Sequence, residues 1–180
     1  MIIKQKNKDT LIVDEFTFKC SIGKKGKIKH KIEGDKCTPK GKFNIGTLYY
    51  RADRVPKPIT KLKIKIIEKN MGWCTDPKSN FYNKVIKINK KLKHEKLFRK
   101  DFKYNYIIVI EYNTHKIIPN KGSAIFLHLT KNYKPTIGCI ALKERDLLIL
   151  LKIINKKTKI HIIEDLDPNI FVPILKKVDL

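Results

Sequence analysis

Two runs of residues limit what this chain can become more than anything else in it. YIIVIEY (106–112) is almost unbroken β-branched and aromatic sequence, and SAIFLHL (123–129) is apolar on both alternating faces. Each is too short for a buried helix and suits a strand covered on both sides. Both are therefore expected to be central strands of a mainly β fold. TLIVDEFTFKC (10–20), KIKHKIE (27–33) and LKIKIIE (62–68) read as further strands, punctuated by turn-rich segments. SIGKKGK reads as the turn of a hairpin ending in KIKHKIE, and in GDKCTPKGKFNIG (34–46) Pro39 and Gly41 form a loop ahead of Phe43 and Ile45.

One stretch has helical spacing. After Leu142, KERDLLILLKIINK places Leu147, Leu150, Leu151 and Ile154 at intervals of three and four, with acidic residues near its start. A strand, TKIHIIE (158–164), should follow, then a tail with Pro168 and Pro173 wrapping the surface. Residues 70–105 carry no clear period: GWCTDPKSNFYNKV reads as an ordered loop and KKLKHEKLFRKD as a short helix. The length, 180 residues, suits a single domain over 1–180.

The net charge of +24 raises nucleic acid as a partner, because basic side chains that neutralise phosphates release counterions. Yet of 41 basic residues only Arg51, Arg54, Arg99 and Arg145 are arginine, whereas phosphate and base recognition favours the bidentate guanidinium. No specific nucleic-acid partner is expected. The lysine excess suits a solvated surface, or attraction toward a polyanion such as an anionic cell wall. No run reaches the roughly 18 apolar residues of a membrane span. The start, MIIKQKNKDTLIVDEF, interposes Lys6, Lys8 and Asp9 where a secretory signal would have its apolar centre. Cys20, Cys37, Cys74 and Cys139 form no CxxC pair and have no histidine at ligand spacing, so no metal or cofactor is implied. A disulfide among Cys20, Cys37 and Cys74 stands open beside the alternative of buried thiols.

The chemistry concentrates in GSAIFLHLTKNYKPTIGCIAL (122–142), where a strand ends in His128 and a small-residue turn delivers Cys139 into a second short strand. If these strands pair as a hairpin across 130–137, His128 and Cys139 face one another with Cβ atoms about 5 Å apart. An adjacent imidazole can then take the thiol proton and make the sulfur a nucleophile. Gly138 permits a strained turn, after which the amides of Gly138 and Cys139 can point at a developing oxyanion. With no Asp or Asn in an obvious position, a backbone carbonyl is the expected orienter of the imidazole. Trp73, Asp76, Tyr82 and Asn83 line a peptide cleft or pack a loop, and Tyr133 lies between the two reactive residues. Arg51, Asp53 and Arg54 form a local charge network or bind a substrate carboxylate.

Two separated strings, T-P-K-G-K-F (38–43) and T-I-G-C-I (136–140), occur in that order. They resemble the T-P-x-G-x-F/Y and S/T-x-G-C-I/V signatures of the L,D-transpeptidase (YkuD-like) catalytic domains, and the closing helix and strand look similar too. The resemblance implies an L,D-transpeptidase-like β-sandwich with one helix after the cysteine. It makes Cys139 the nucleophile, His128 the base and acid, Gly138 and Cys139 the oxyanion donors, and Thr136 the support of the turn. It further implies a peptidoglycan stem peptide as partner, held as a thioester and passed to an amine. Water as acceptor, which would make a carboxypeptidase or amidase, and a catalytically idle wall-binding module are the alternatives. That substrate implies the periplasm or cell envelope, while the start of the chain leaves a cytoplasmic role on wall fragments open. Leu129 stands where many members have Gly, the loop from His128 to Cys139 is short, and Ala141 replaces a common Arg or Asn.

Overall fold

The computed structural model describes residues 1–163; the tail with Pro168 and Pro173 lies outside them. Alternation of apolar and polar residues sets the first layer. Strands β1 (Ile2–Lys6), β2 (Thr10–Val13) and β3 (Phe16–Ser21) form an antiparallel meander that buries Ile3, Leu11, Val13 and Phe18. Two short strands, β4 (Lys27–Ile28) and β5 (Thr38–Pro39), pair in parallel ahead of the long β6 (Gly41–Tyr50) and its neighbour β7 (Ile64–Ile66). Then come β8 (Met71–Cys74), β9 (Val85–Lys87) and β10 (His94–Lys96), which make a small separate sheet. The chain continues through β11 (Tyr106–Ile110), β12 (Phe126–Leu129), β13 (Ile140–Leu142), the helix α1 (Glu144–Ile153) and β14 (Lys159–Ile162).

The main sheet runs β11-β12-β13-β3-β2-β1-β14-β6-β7, and β6 also pairs with β11, so the circuit closes on itself with β7 as a branch. Strand β6 joins the two layers: its residues 41–44 pair with β14 and residues 45–50 with β11. Between the layers lies the main core, where Ile3, Leu11 and Val13 meet Leu48, Ile108, Leu127, Leu129, Ile140 and Leu142. Helix α1 closes one end of that core with Leu147, Leu150 and Leu151, all fully buried. Glu144 and Asp146 in its first turn and Lys152 in its last suit the helix dipole.

Both faces of β11 and β12 are buried, as the continuous apolar runs require. Their outer face carries a second cluster, in which Ile107, Val109, Phe126 and Cys139 pack against Tyr49, Ile67, Trp73, Leu97 and Tyr104. The cover over this face comes from residues 70–105, including the sheet of β8, β9 and β10.

Among the described residues the fold is mainly β with a single helix after Cys139, as expected. Three local expectations are corrected. The segment 70–105 holds no helix, and part of KKLKHEKLFRKD becomes β10, because it completes the small sheet against β8. KIKHKIE is a strand only at residues 27–28; its alternation misleads because Lys31 turns inward at 4% exposure while Ile32 faces solvent at 58%. SIGKKGK is therefore not a hairpin turn, and β3 pairs instead with β2 and β13.

Two of the segments that meet near residue 138 are tied by one buried hydroxyl. Thr38 Oγ1, in a fully buried side chain, accepts the Gly23 N–H at 2.9 Å. Thr38→Val keeps the shape and strands that amide, so a loss of about 1–3 kcal/mol is expected. For a chain of this size the melting temperature should fall by roughly 2–4 °C per kcal/mol in calorimetry; an unchanged melt would show that water replaces the hydroxyl.

Candidate active site

Strands β12 and β13 pair in parallel, with Leu127 beside Ile140, His128 beside Ala141 and Leu129 beside Leu142. The expected hairpin is thus corrected: the chain between them leaves the sheet and re-enters from the same end. It is tied down on the way, since Thr136 N–H donates to Ile22 O at 2.9 Å and Lys24 N–H donates to Thr136 O at 2.8 Å. In this register Cys139 falls beside Phe126, and because side chains alternate, Phe126, His128, Cys139 and Ala141 share the outer face. Cys139 and His128 are therefore diagonal neighbours, an arrangement that typically separates side chains by about 7 Å rather than 5 Å.

Both residues line one cavity of about 620 Å³, together with Lys31, Glu95, Arg99 and Tyr104. His128 is 7% exposed and Cys139 8%. The imidazole Nδ1 lies 2.9 Å from Leu129 O. A carbonyl can only accept, so Nδ1 carries the proton and Nε2 is left with its lone pair. The orienting group is a backbone carbonyl. The Tyr104 ring packs edge-on against the imidazole, centroids 5.4 Å apart, and its hydroxyl donates to Glu95.

The sulfur is held from the other side. Cys139 Sγ donates to Ala124 O at 3.2 Å and accepts the Phe126 N–H at 3.4 Å. Ala124 adopts φ +54°, a conformation that costs a non-glycine residue about 1–3 kcal/mol. Asn83 holds it there: Asn83 Oδ1 accepts Ala124 N–H at 3.0 Å and Trp73 Nε1–H at 2.9 Å, while Asn83 Nδ2 donates to Tyr112 O and Asn113 O. The turn before Cys139 is built from Thr136, whose Oγ1 donates to Cys139 O at 2.6 Å and accepts Gly138 N–H at 3.1 Å. Gly138 has φ +140°, and a Cβ there would sit 2.9 Å from Cys37 O. The Gly138 amide is thus engaged by Thr136 in this arrangement.

Residues 3–162 match the family of L,D-transpeptidase catalytic domains known as YkuD. The chain belongs to that family. Neither a curated protein nor a solved structure matches it closely enough to count as a relative.

The other predicted residues of this L,D-transpeptidase domain fall outside the cavity. Trp73 is buried in the second cluster, edge-on to Phe126, and Asn83 is its buried partner. Asp76 Oδ1 accepts the Lys78 amide in its own turn, and Tyr133 lines a separate cleft under Lys19 and Lys143. Tyr82 donates to Glu33. Arg51 is buried in a local network, bidentate to Asp53 at 2.8 and 2.7 Å and bonded to Arg99 O. Cys20, Cys37 and Cys74 are free, buried thiols. Lys31, Glu95 and Tyr104 had no site signal in the sequence: Lys31 sits in a misleading alternation, Glu95 and Tyr104 in a segment without a clear period, and the fold unites them.

Burial governs the charges in this cavity. It pulls His128 down from 6.5 to about 4, with Lys103 and Arg99 adding to the effect against the Leu129 carbonyl. It pushes the Cys139 thiol up to about 12, helped by Glu95 and opposed by the Phe126 amide and Lys31. Glu95 is itself raised by burial, against the hydrogen bond from Tyr104 and the charge of Arg99. The resting pair is neutral thiol and neutral imidazole.

Between pH about 4 and 6.5 the unfolded chain binds a proton at His128 that the folded chain refuses, so stability falls as pH drops through that window. The loss attached to His128 should reach about 3 kcal/mol at 1.36 kcal/mol per unit. His128→Gln should remove this acid-side slope. Urea unfolding of both chains at pH near 7 and near 4.5 measures it; parallel pH dependences in the two would sink the assignment.

Proposed function

We propose that this protein is a cysteine-dependent peptidoglycan L,D-transpeptidase that forms a thioester with a stem peptide and passes it to an amine. The observation that carries the reading is the single cavity into which the Cys139 thiol and a tautomer-fixed His128 imidazole both open. Because both groups rest neutral, deprotonation belongs to the moment of attack rather than to a standing ion pair.

In the first half-reaction Nε2 takes the thiol proton as Sγ attacks the carbonyl carbon of the stem's third residue. The carbonyl electrons move to oxygen, and the Cys139 amide is the donor best placed at that turn to receive the oxyanion. Gly138 joins it only by releasing Thr136. Collapse of the intermediate breaks the peptide bond, Nε2–H protonates the departing amine of the terminal D-residue, and the acyl group remains on sulfur. An incoming amine then gives a proton to Nε2 as it attacks the thioester. The second oxyanion collapses, the new amide forms, and the thiolate recovers its proton from the imidazolium. Exclusion of water from a buried site favours the amine over hydrolysis. Peptidoglycan lies outside the cytoplasmic membrane, so we assign the protein to the cell envelope; among the described residues no helix is long and apolar enough to cross a membrane.

A carbapenem, whose strained carbonyl acylates cysteines of this family, provides the test. Intact-mass analysis under reducing conditions should show one adduct, lost in Cys139→Ala and slowed by about 10²–10⁴ in His128→Ala. An adduct that survives Cys139→Ala would remove Cys139 as nucleophile. With a stem tetrapeptide, release of the terminal residue should depend on an added amine; equal release without one would make the protein a hydrolase.

A further inference from the structure

One buried cation has no part in the chemistry so far. Lys31 is 4% exposed, in a residue type seldom buried so fully. Its side chain lies across Gly122, and its Nζ stands 3.6 Å from where a Cβ of Gly138 would be. Nζ donates to Cys37 O at 2.9 Å, the same carbonyl against which Gly138 packs, and pairs with Asp35 at 2.5 Å. Burial alone would raise the Asp35 carboxyl, but the bonds from Lys31 and from the Cys37 and Ile32 amides outweigh it and keep Asp35 ionised. Lys31 lines the cavity that holds Cys139 and His128.

We propose that Lys31 is an electrostatic positioning residue whose charge, held by Asp35 against the Gly138 turn, stabilises negative charge on Cys139 Sγ and then on the oxyanion. The idea rests on the transpeptidase reading and deepens it. Lys31 exchanges no proton; it acts through space and through the Cys37 carbonyl.

The other titratable groups around the thiol do not supply this charge. His128 on β12 is neutral until it takes the thiol proton, and Tyr104, ahead of β11, is a neutral phenol bonded to Glu95. Glu95 on β10 opposes the thiolate, and Arg99 offsets it in part. His94, also on β10, is bonded to Leu92 O, while Glu33 is engaged by Tyr82 and Ser123. Lys31 is the cation whose field favours the thiolate, and Asp35 tempers it.

Alkylation of Cys139 in the full chain by iodoacetamide, resolved by peptide mass across pH about 6 to 10, tests the proposal. The whole range lies below the thiol midpoint, so Lys31→Met should slow the reaction about tenfold at every pH in it, the equivalent of a rise of about one unit. Asp35→Asn, which removes one charge and keeps the shape, should do the opposite and speed it several-fold. The double variant, with neither charge, should fall between Lys31→Met and wild type. A merely structural ion pair predicts another pattern, with both single variants impaired by an unpaired buried charge and the double variant restored. That pattern, or profiles superimposed on wild type, would overturn the proposal. Asp35→Asn gives an answer even where Lys31→Met fails to fold. If the carbapenem acylates wild-type Cys139 and the lysine series is flat, only the role of Lys31 falls; if it does not acylate Cys139, the nucleophile falls with it.

Discussion

The site depends on backbones that approach too closely to admit a side chain. A Cβ on Gly23 would lie 2.5 Å from Lys36 O, and one on Gly138 would lie 2.9 Å from Cys37 O. These contacts sit on either side of residues 36–38, so the end of β3, the segment leading into β6 and the turn before Cys139 interlock as one unit. Thr38 and Thr136 add the polar ties that such a junction needs, since each buried amide must find an acceptor. This explains why the two family strings, about 100 residues apart in sequence, behave as parts of one object. T-P-K-G-K-F supplies the wall, and T-I-G-C-I supplies the turn that leans on it.

What this junction presents is a buried thiol kept uncharged. Covering the outer face of β12 and β13 with residues 70–105 buries the thiol and imidazole, and burial disfavours the charged form of both. A thiol in that state is protected from indiscriminate oxidation and alkylation. The same burial makes each fixed charge in the cavity count for more, because fewer waters screen it. Glu95 and Lys31 both line the cavity, and their charges act on the sulfur with opposite sign, Glu95 against the thiolate and Lys31 toward it.

How far all this was legible in the sequence depends on the kind of information each part required. The central strands and α1 were readable because their residues are buried by neighbours close in sequence or by a continuous apolar face, so period and composition report directly on structure. The candidate cysteine and histidine stood out for a local reason too, a strand ending in His128 and a small-residue turn before Cys139, and the two line one cavity. Strand direction was not: the short link from Thr130 onward suggested a hairpin, and only its attachment to Ile22 and Lys24 lets β13 run parallel to β12. Lys31 was hidden by a false alternation, since a lysine at an inward position reads as a polar face until its partner Asp35 is known. The cover was hardest, because β8, β9 and β10 are three or four residues each and draw their stability from the sandwich beneath them.

Asn83 shows how that cover and the chemistry are joined. It adopts φ +55° itself and fixes Ala124 at φ +54°, so two strained residues sit within one hydrogen-bonded cluster. Each conformation costs of order 1–3 kcal/mol, and such strain persists only where surrounding bonds over-determine it. The Asn83 side chain meets that condition, with two donors bonded to Tyr112 and Asn113 carbonyls and one oxygen shared by Trp73 and Ala124. The product of this arrangement is a single carbonyl, Ala124 O, aimed at the thiol proton of Cys139. Trp73 and Asn83 therefore act behind the cavity wall. They fix where the sulfur rests, although neither lines the cavity.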